Sequence, residues 1–190
     1  MKPDFQRDLI PRDDALHLIG ALNAMKDKLH DAAQQWELLD ENRHVPAAPS
    51  YTALLQHASD AQNLSRDVLR LTADFARSPH HTTRTGSTVL KHLATAATMS
   101  SHAAPHFTET AECARALSQS TNPTDRHYLT NRMVIDHASA RAFLRRTSES
   151  LRDAAKELDE HLGFQRFLST LTRRESPPPL PPPRPGGLHR

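Results

Sequence analysis

His102, His106, Glu109 and Cys113 follow one another at steps of 4, 3 and 4, the spacing that brings side chains onto one face of a helix. Borderline metals such as zinc accept all three residue types. If the helix that carries them runs antiparallel to the next about a turn near residues 121–124, His137 falls roughly opposite His106. His102, His106 and His137 are therefore the candidate metal ligands, and a metal-binding helical bundle, or a metal-dependent enzyme built on one, is the first alternative function. Two features weigh against it. Pro105 distorts the turn that must align His102 with His106. The chain also has neither the Glu-x-x-His pair of di-iron bundles nor a His-Glu-x-x-His helix.

Nucleophilic chemistry has less support. Cys113 stands between Ala111 and Ala114 in a helical pattern, where a thiol acts as a small core hydrophobe unless a base or a helix N-terminus activates it. No serine lies in a Gly-x-Ser-x-Gly elbow, and the five glycines form no phosphate-cradling loop. No catalytic residue is assigned, no cofactor is expected, and the chain reads as a non-enzyme.

The segment after residue 123 carries Arg126, Arg132, Arg141, Arg145, Arg146 and Arg152, of which Arg141, Arg145 and Arg152 share a helical face. Such a stripe can track phosphates, so a DNA-associated regulator is the second alternative. The simpler expectation is a solvated face in which Arg145 and Arg152 reach Glu149 and Lys156 pairs with Glu160. The pI near 8.9 adds little. Arg173, Arg174, Arg184 and Arg190 against Glu175 give the end of the chain a charge of +3, leaving residues 1–172 at −1. Nucleic acid is not the favoured partner.

Leu162, Phe164, Phe167, Leu168 and Leu171 place five large apolar residues within ten, at helical spacing, beyond the point where the other helices should have ended. Apolar surface left uncovered marks an interaction site, so these five are the candidate partner-binding residues; the bland alternative is a short helix folded back to cap the bundle. Just beyond them, Pro179 to Arg184 fits the Pro-x-x-Pro-x-Arg pattern read by aromatic-lined grooves. The favoured reading is a non-enzymatic protein–protein interaction or assembly module, engaging a protein partner or a second copy of itself.

The elements that must position these residues are helical. Leu and Ala number 24 and 25 while Ile and Val together number seven, a balance that favours helix over sheet. Leu18, Leu22, Met25, Leu29, Ala32, Trp36 and Leu39 recur at alternating steps of 4 and 3, predicting a helix over about 13–42 with a coiled-coil-like seam. Ser50 is a plausible N-cap for a second stripe from Tyr51 to Phe75 that ends before Pro79. A third segment opens after Gly86 and reaches about Ser120, kinked by Pro105. Asn122-Pro123 begins the fourth, whose seam runs through Leu129, Met133, Ala140, Leu144, Leu151 and Leu158, with Gly163 as its expected terminator. Spanning roughly 60 Å from 123 to 162, it should overhang the first two helices, at about 45 Å each.

Short connections favour antiparallel neighbours. The expected fold is all-α, an elongated up-down-up-down four-helix bundle over 13–175, with an N-terminal arm over 1–12 and a disordered polyproline tail over 176–190. One cysteine permits no internal disulfide, and no stretch has the length and apolarity of a signal peptide or membrane span. The expectation is a cytoplasmic bacterial protein with no membrane association. The stretches from Asp136 to Arg141, Arg145 to Leu158 and Leu162 to Phe167 resemble small helical proteins of actinobacteria to which no activity is assigned; the resemblance brings no functional residues with it.

Overall fold

The structure is a computed structural model that describes residues 9–40 and 44–174, the last four of these by backbone alone. Residues 1–8 of the expected arm and the whole expected tail, with its Pro-x-x-Pro-x-Arg segment, lie outside the described residues. Every regular element among the described residues is helical: α1 (Arg12–Gln35), α2 (Tyr51–Arg77), a 3-10 turn (Pro79–Thr82), α3 (Arg84–Ser101), α4 (Ala103–Gln119) and α5 (Pro123–Arg174).

Local chemistry sets most boundaries. Asp13 and Asp14 occupy the first turn of α1, where carboxylates complement the helix dipole. Ser50 caps α2 as expected, its Oγ accepting from Ala53 N–H at 3.2 Å. Thr83 does the same for α3, accepting from Gly86 N–H at 2.9 Å, and Asn122 accepts from Thr124 N–H at 3.0 Å beside Pro123 at the start of α5.

Three expectations are corrected. The first helix stops at Gln35, because Trp36 leaves helical geometry and turns its ring onto His57; Leu38 rather than Leu39 then enters the core, and Leu39 is 37% exposed. The third segment is two helices broken at His102, not one helix kinked at Pro105. Restarting at Ala103 places Pro105 in a first turn, where its missing N–H has no intrahelical partner to lose. Finally, Gly163 does not end a helix. It lies within α5, with nothing within 4 Å of the position of a Cβ, and the 52-residue helix continues to Arg174.

Hydrogen bonds and ring contacts give the directions. As partners rise from Ile10, just before α1, through Lys26 to Ala33, those on α5 fall from His161 and Gln165 through Ser148 to Arg141. Along α3 and α4, Thr85, His102, His106 and Glu109 meet His161, Phe143, Asp136 and Arg132. On α2, Thr72 and Ser65 meet Leu93 and Ser100. All three pairings are antiparallel. Within the buried face of α5, Met133, His137, Ala140, Leu144, Thr147, Leu151, Ala154 and Leu158 alternate in steps of 4 and 3, with Ser148, Ala155, His161 and Leu162 buried beside them, the repeat of a left-handed supercoiled seam. They join the main core to a smaller one of Leu38, Leu54, Ala111, Cys113, Ala114, Leu117 and Met133.

Candidate functional site

Toward its C-terminal end α5 outruns its neighbours. There it is held by the start of α3, where Thr85 Oγ1 lies 3.2 Å from His161 Nδ1, and by the segment before α1. His161 Nε2 accepts from the Ile10 N–H at 3.2 Å, which leaves the ring proton on Nδ1 for Thr85, and the Gln165 amide donates to Ile10 O at 2.7 Å. On the outward side of these turns the helix carries Phe164 at 54% and Phe167 at 58% exposure. Of the five candidate partner-binding residues, Leu162 is a core residue, 2% exposed, and Leu168 is half-buried. The Leu171 side chain lies outside the described residues. The segment is continuous with α5 and does not fold back as a separate cap.

Tyr128 and Ile135, 61% and 65% exposed, were not singled out in the sequence. Both lie on α5, seven residues apart and off its buried seam, which is the signal that could have found them. Among the described residues, five large apolar side chains are more than half exposed, and all but Leu69 belong to α5.

The three candidate metal ligands are divided between two environments. His102 and His106 pack on the same ring, Phe143, at centroid distances of 5.0 and 5.6 Å, and His106 Nδ1 lies 3.3 Å from Asp136 Oδ1. His137 is buried in a different cluster. Its ring meets the Phe107 ring edge-on at 5.3 Å, with His57 at 6.5 Å, and Trp36 stacks on His57 at 5.0 Å. Among the described residues, no three His, Cys, Asp or Glu side chains group as a metal site requires.

The cluster of Trp36, His57, Phe107 and His137 draws on the connection after α1, on α2, α4 and α5. His57 Nδ1 and His137 Nε2 are buried in it without hydrogen-bond partners. Burial lowers the pKa of both, that of His137 to about 4 with help from the nearby Arg141 and His57 charges; at His57 the Asp60 carboxylate works in the opposite direction. His137 also lines a cleft of about 480 Å³ between the Glu37–Asp40 segment and Val134, Ala138 and Arg141 of α5. The unpaired imidazoles are thus kept as weak bases inside an aromatic packing unit.

The arginine stripe is largely committed to structure. Arg141 Nε donates to Ala33 O at 2.6 Å and satisfies a carbonyl in the last turn of α1. Arg126 does the same at the end of α4, donating to Leu117 O and Ser120 O. Arg132 bridges Glu109 and Asp136, at 2.9 and 3.5 Å. Arg152 pairs with Asp153 rather than Glu149, while Lys156 and Glu160 are 3.7 Å apart as expected. Cys113 is buried, and burial pushes its thiol pKa up, Asp136, Glu109 and Glu112 adding to the rise and Arg132 opposing it. No helix among the described residues is long and apolar enough to cross a membrane. The chain matches no protein-family model, and no curated protein or solved structure shows significant similarity to it.

Proposed function

We propose that this chain is a non-enzymatic interaction or assembly module of the cytoplasm, an elongated up-down-up-down bundle that presents the overhanging end of α5 to a protein partner. One observation carries the reading: Phe164 and Phe167 remain more than half exposed on the outward side of the helical turns at the clasp formed by Ile10, Thr85 and His161. Burying each phenylalanine in a complex would contribute roughly 1.5–3 kcal/mol of transfer free energy. The raised thiol pKa of Cys113 and the structural use of Arg126, Arg132 and Arg141 favour this reading over nucleophilic catalysis or phosphate tracking.

The double variant Phe164→Ser, Phe167→Ser tests it. Sedimentation and capture from the native host should show loss of an assembly, while the melting temperature stays within about 2 °C of the parent, since little buried area is removed. A large fall in melting temperature with unchanged mass and partners would instead make the two rings an internal cap.

A further inference from the structure

The cleft beside the end of α1 carries opposite charges that do not meet. We propose that it binds a free α-amino acid with an apolar side chain, the carboxylate on Arg141, the ammonium on Glu37 and the side chain between the apolar residues of the two walls. The proposal goes beyond the interaction-module reading and is independent of it, since neither Phe164 nor Phe167 takes part.

The cleft has a volume of about 480 Å³, within the usual range of small-molecule sites. One wall is a stripe of α5, in which Val134, His137, Ala138 and Arg141, at steps of 3, 1 and 3, share a helical face. The other is the segment after α1, which leaves helical geometry at Trp36 and passes that face with Leu38 buried and Glu37 and Leu39 exposed. A turn holds the end of this segment. There the His44 N–H donates to Asp40 Oδ1 and the Asp40 N–H to His44 O, each at 2.9 Å.

The charges select the ligand class. Of the two carboxylates on the cleft, that of Asp40 is committed to the turn, whereas that of Glu37 makes no ion pair or hydrogen bond among the described residues. Arg141 is anchored by Nε on Ala33 O at 2.6 Å, which leaves the edge formed by its two Nη groups to chelate a carboxylate. Among the described residues that edge pairs with no acid, Glu37 included. His137, 3% exposed and with Nε2 lacking a partner, closes the bottom of the cleft; burial holds its pKa at about 4, so the ring adds no further charge at neutral pH. One fixed cation and one carboxylate thus line an apolar-walled space without neutralising each other. A ligand with both charges matches both groups. An amine alone would sit beside the unmatched guanidinium, and a simple carboxylate would face Glu37. Leu38 and Leu39 on one wall and Val134 and Ala138 on the other offer apolar surface to a side chain and nothing to a polar one.

The test is calorimetric titration of the full chain with L-leucine and L-phenylalanine, with 4-methylpentanoate, 3-methylbutylamine and 6-aminohexanoate for comparison. At least one of the two amino acids should bind with Kd below about 1 mM, and the three comparison compounds should bind about tenfold or more weakly than it does. Glu37→Gln removes the ammonium partner, and Ala138→Leu fills the cleft without touching either charge. Both positions are exposed, so each variant should weaken amino-acid binding about tenfold or more while its melting temperature stays within about 2 °C of the parent. The His137 ring resonances should shift on saturation, and this shift should be lost in Ala138→Leu. Failure of both amino acids to bind at about 10 mM overturns the proposal. Binding that survives both substitutions within about threefold overturns it as well, because the ligand then sits elsewhere. Equal affinity for 3-methylbutylamine or 6-aminohexanoate also overturns it, making the cleft a site for amines or for widely separated charges. None of these results alters the mass or the partners of the double phenylalanine variant, so the interaction-module reading stands or falls on its own experiment.

Discussion

At the level of single residues the most informative side chain is His137, 3% exposed between Phe107 and His57, with Nε2 unpaired. Its folded pKa of about 4 lies below the ordinary 6.5, so the fold favours the neutral ring. Between those pH values the unfolded chain binds more protons than the folded one, and stability therefore falls as pH drops from about 6.5 toward 4. The shift corresponds to roughly 3 kcal/mol over that window, with His57 adding in the same direction. Urea unfolding at pH 7.5 and pH 5 should show about 2 kcal/mol of this loss in the parent and a smaller one in His137→Phe, which keeps an aromatic ring but cannot titrate. Equal losses in the two proteins would assign the acid sensitivity elsewhere. The sequence set His137 roughly opposite His106; in the structure it lies one position away, against the Phe107 ring, and Asp136 is the residue beside His106. The sequence did not reveal the surroundings of His137, which depend on Trp36 and His57 arriving from two other parts of the chain.

Among the elements, the glycines separate what a sequence pattern states from what packing decides. Gly163 followed by Phe164 has the form of a helix terminator, yet the residue sits within α5 with open space around the Cβ position. A terminator in left-handed geometry would be strained by Ala. A helix interior gains from it, by about 0.8–1 kcal/mol, so Gly163→Ala should raise the melting temperature by about 2–4 °C. Gly86 has the opposite requirement. A Cβ there would overlap the His80 carbonyl of the preceding turn, so Gly86→Ala should lower the melting temperature and loosen the join between α2 and α3. Calorimetry of the two variants should give shifts of opposite sign; two shifts of the same sign would contradict these placements. Caps and starts such as Ser50 and Asn122-Pro123 were legible because their chemistry is local. The early end of α1 and the continuation of α5 were not, since the first depends on a stack of Trp36 on His57, 21 residues away. The second depends on the clasp between Ile10 and Gln165, 155 residues apart.

In the molecule as a whole, α5 is the common support. It packs against α1, α3 and α4, while α2 packs against α3 and α4. Among the helices, α1 packs closely only on α5, and a groove of about 450 Å³ separates its Lys28, Asp31 and Gln35 from Asp60, Asn63 and Asp67 of α2. The apolar attachment of α1 is one stripe through Ala15, Leu22, Leu29 and Ala33, reinforced by bonds from Ser148 to Lys26 O and from Arg141 to Ala33 O. Elements with fewer packed neighbours open at lower free energy than the core they leave behind. Native-state hydrogen exchange in increasing urea should therefore release the amides around Leu22 and Leu29 before those around Leu93, Leu144 and Leu151. Arg141→Ala should lower the opening free energy of α1 by about 1 kcal/mol or more, because a carbonyl in its last turn loses its donor, while protection of α3 changes little. If the α1 amides exchange only with global unfolding, the groove does not mark a weak edge, and the bundle opens as one cooperative unit despite the single helix against which α1 rests.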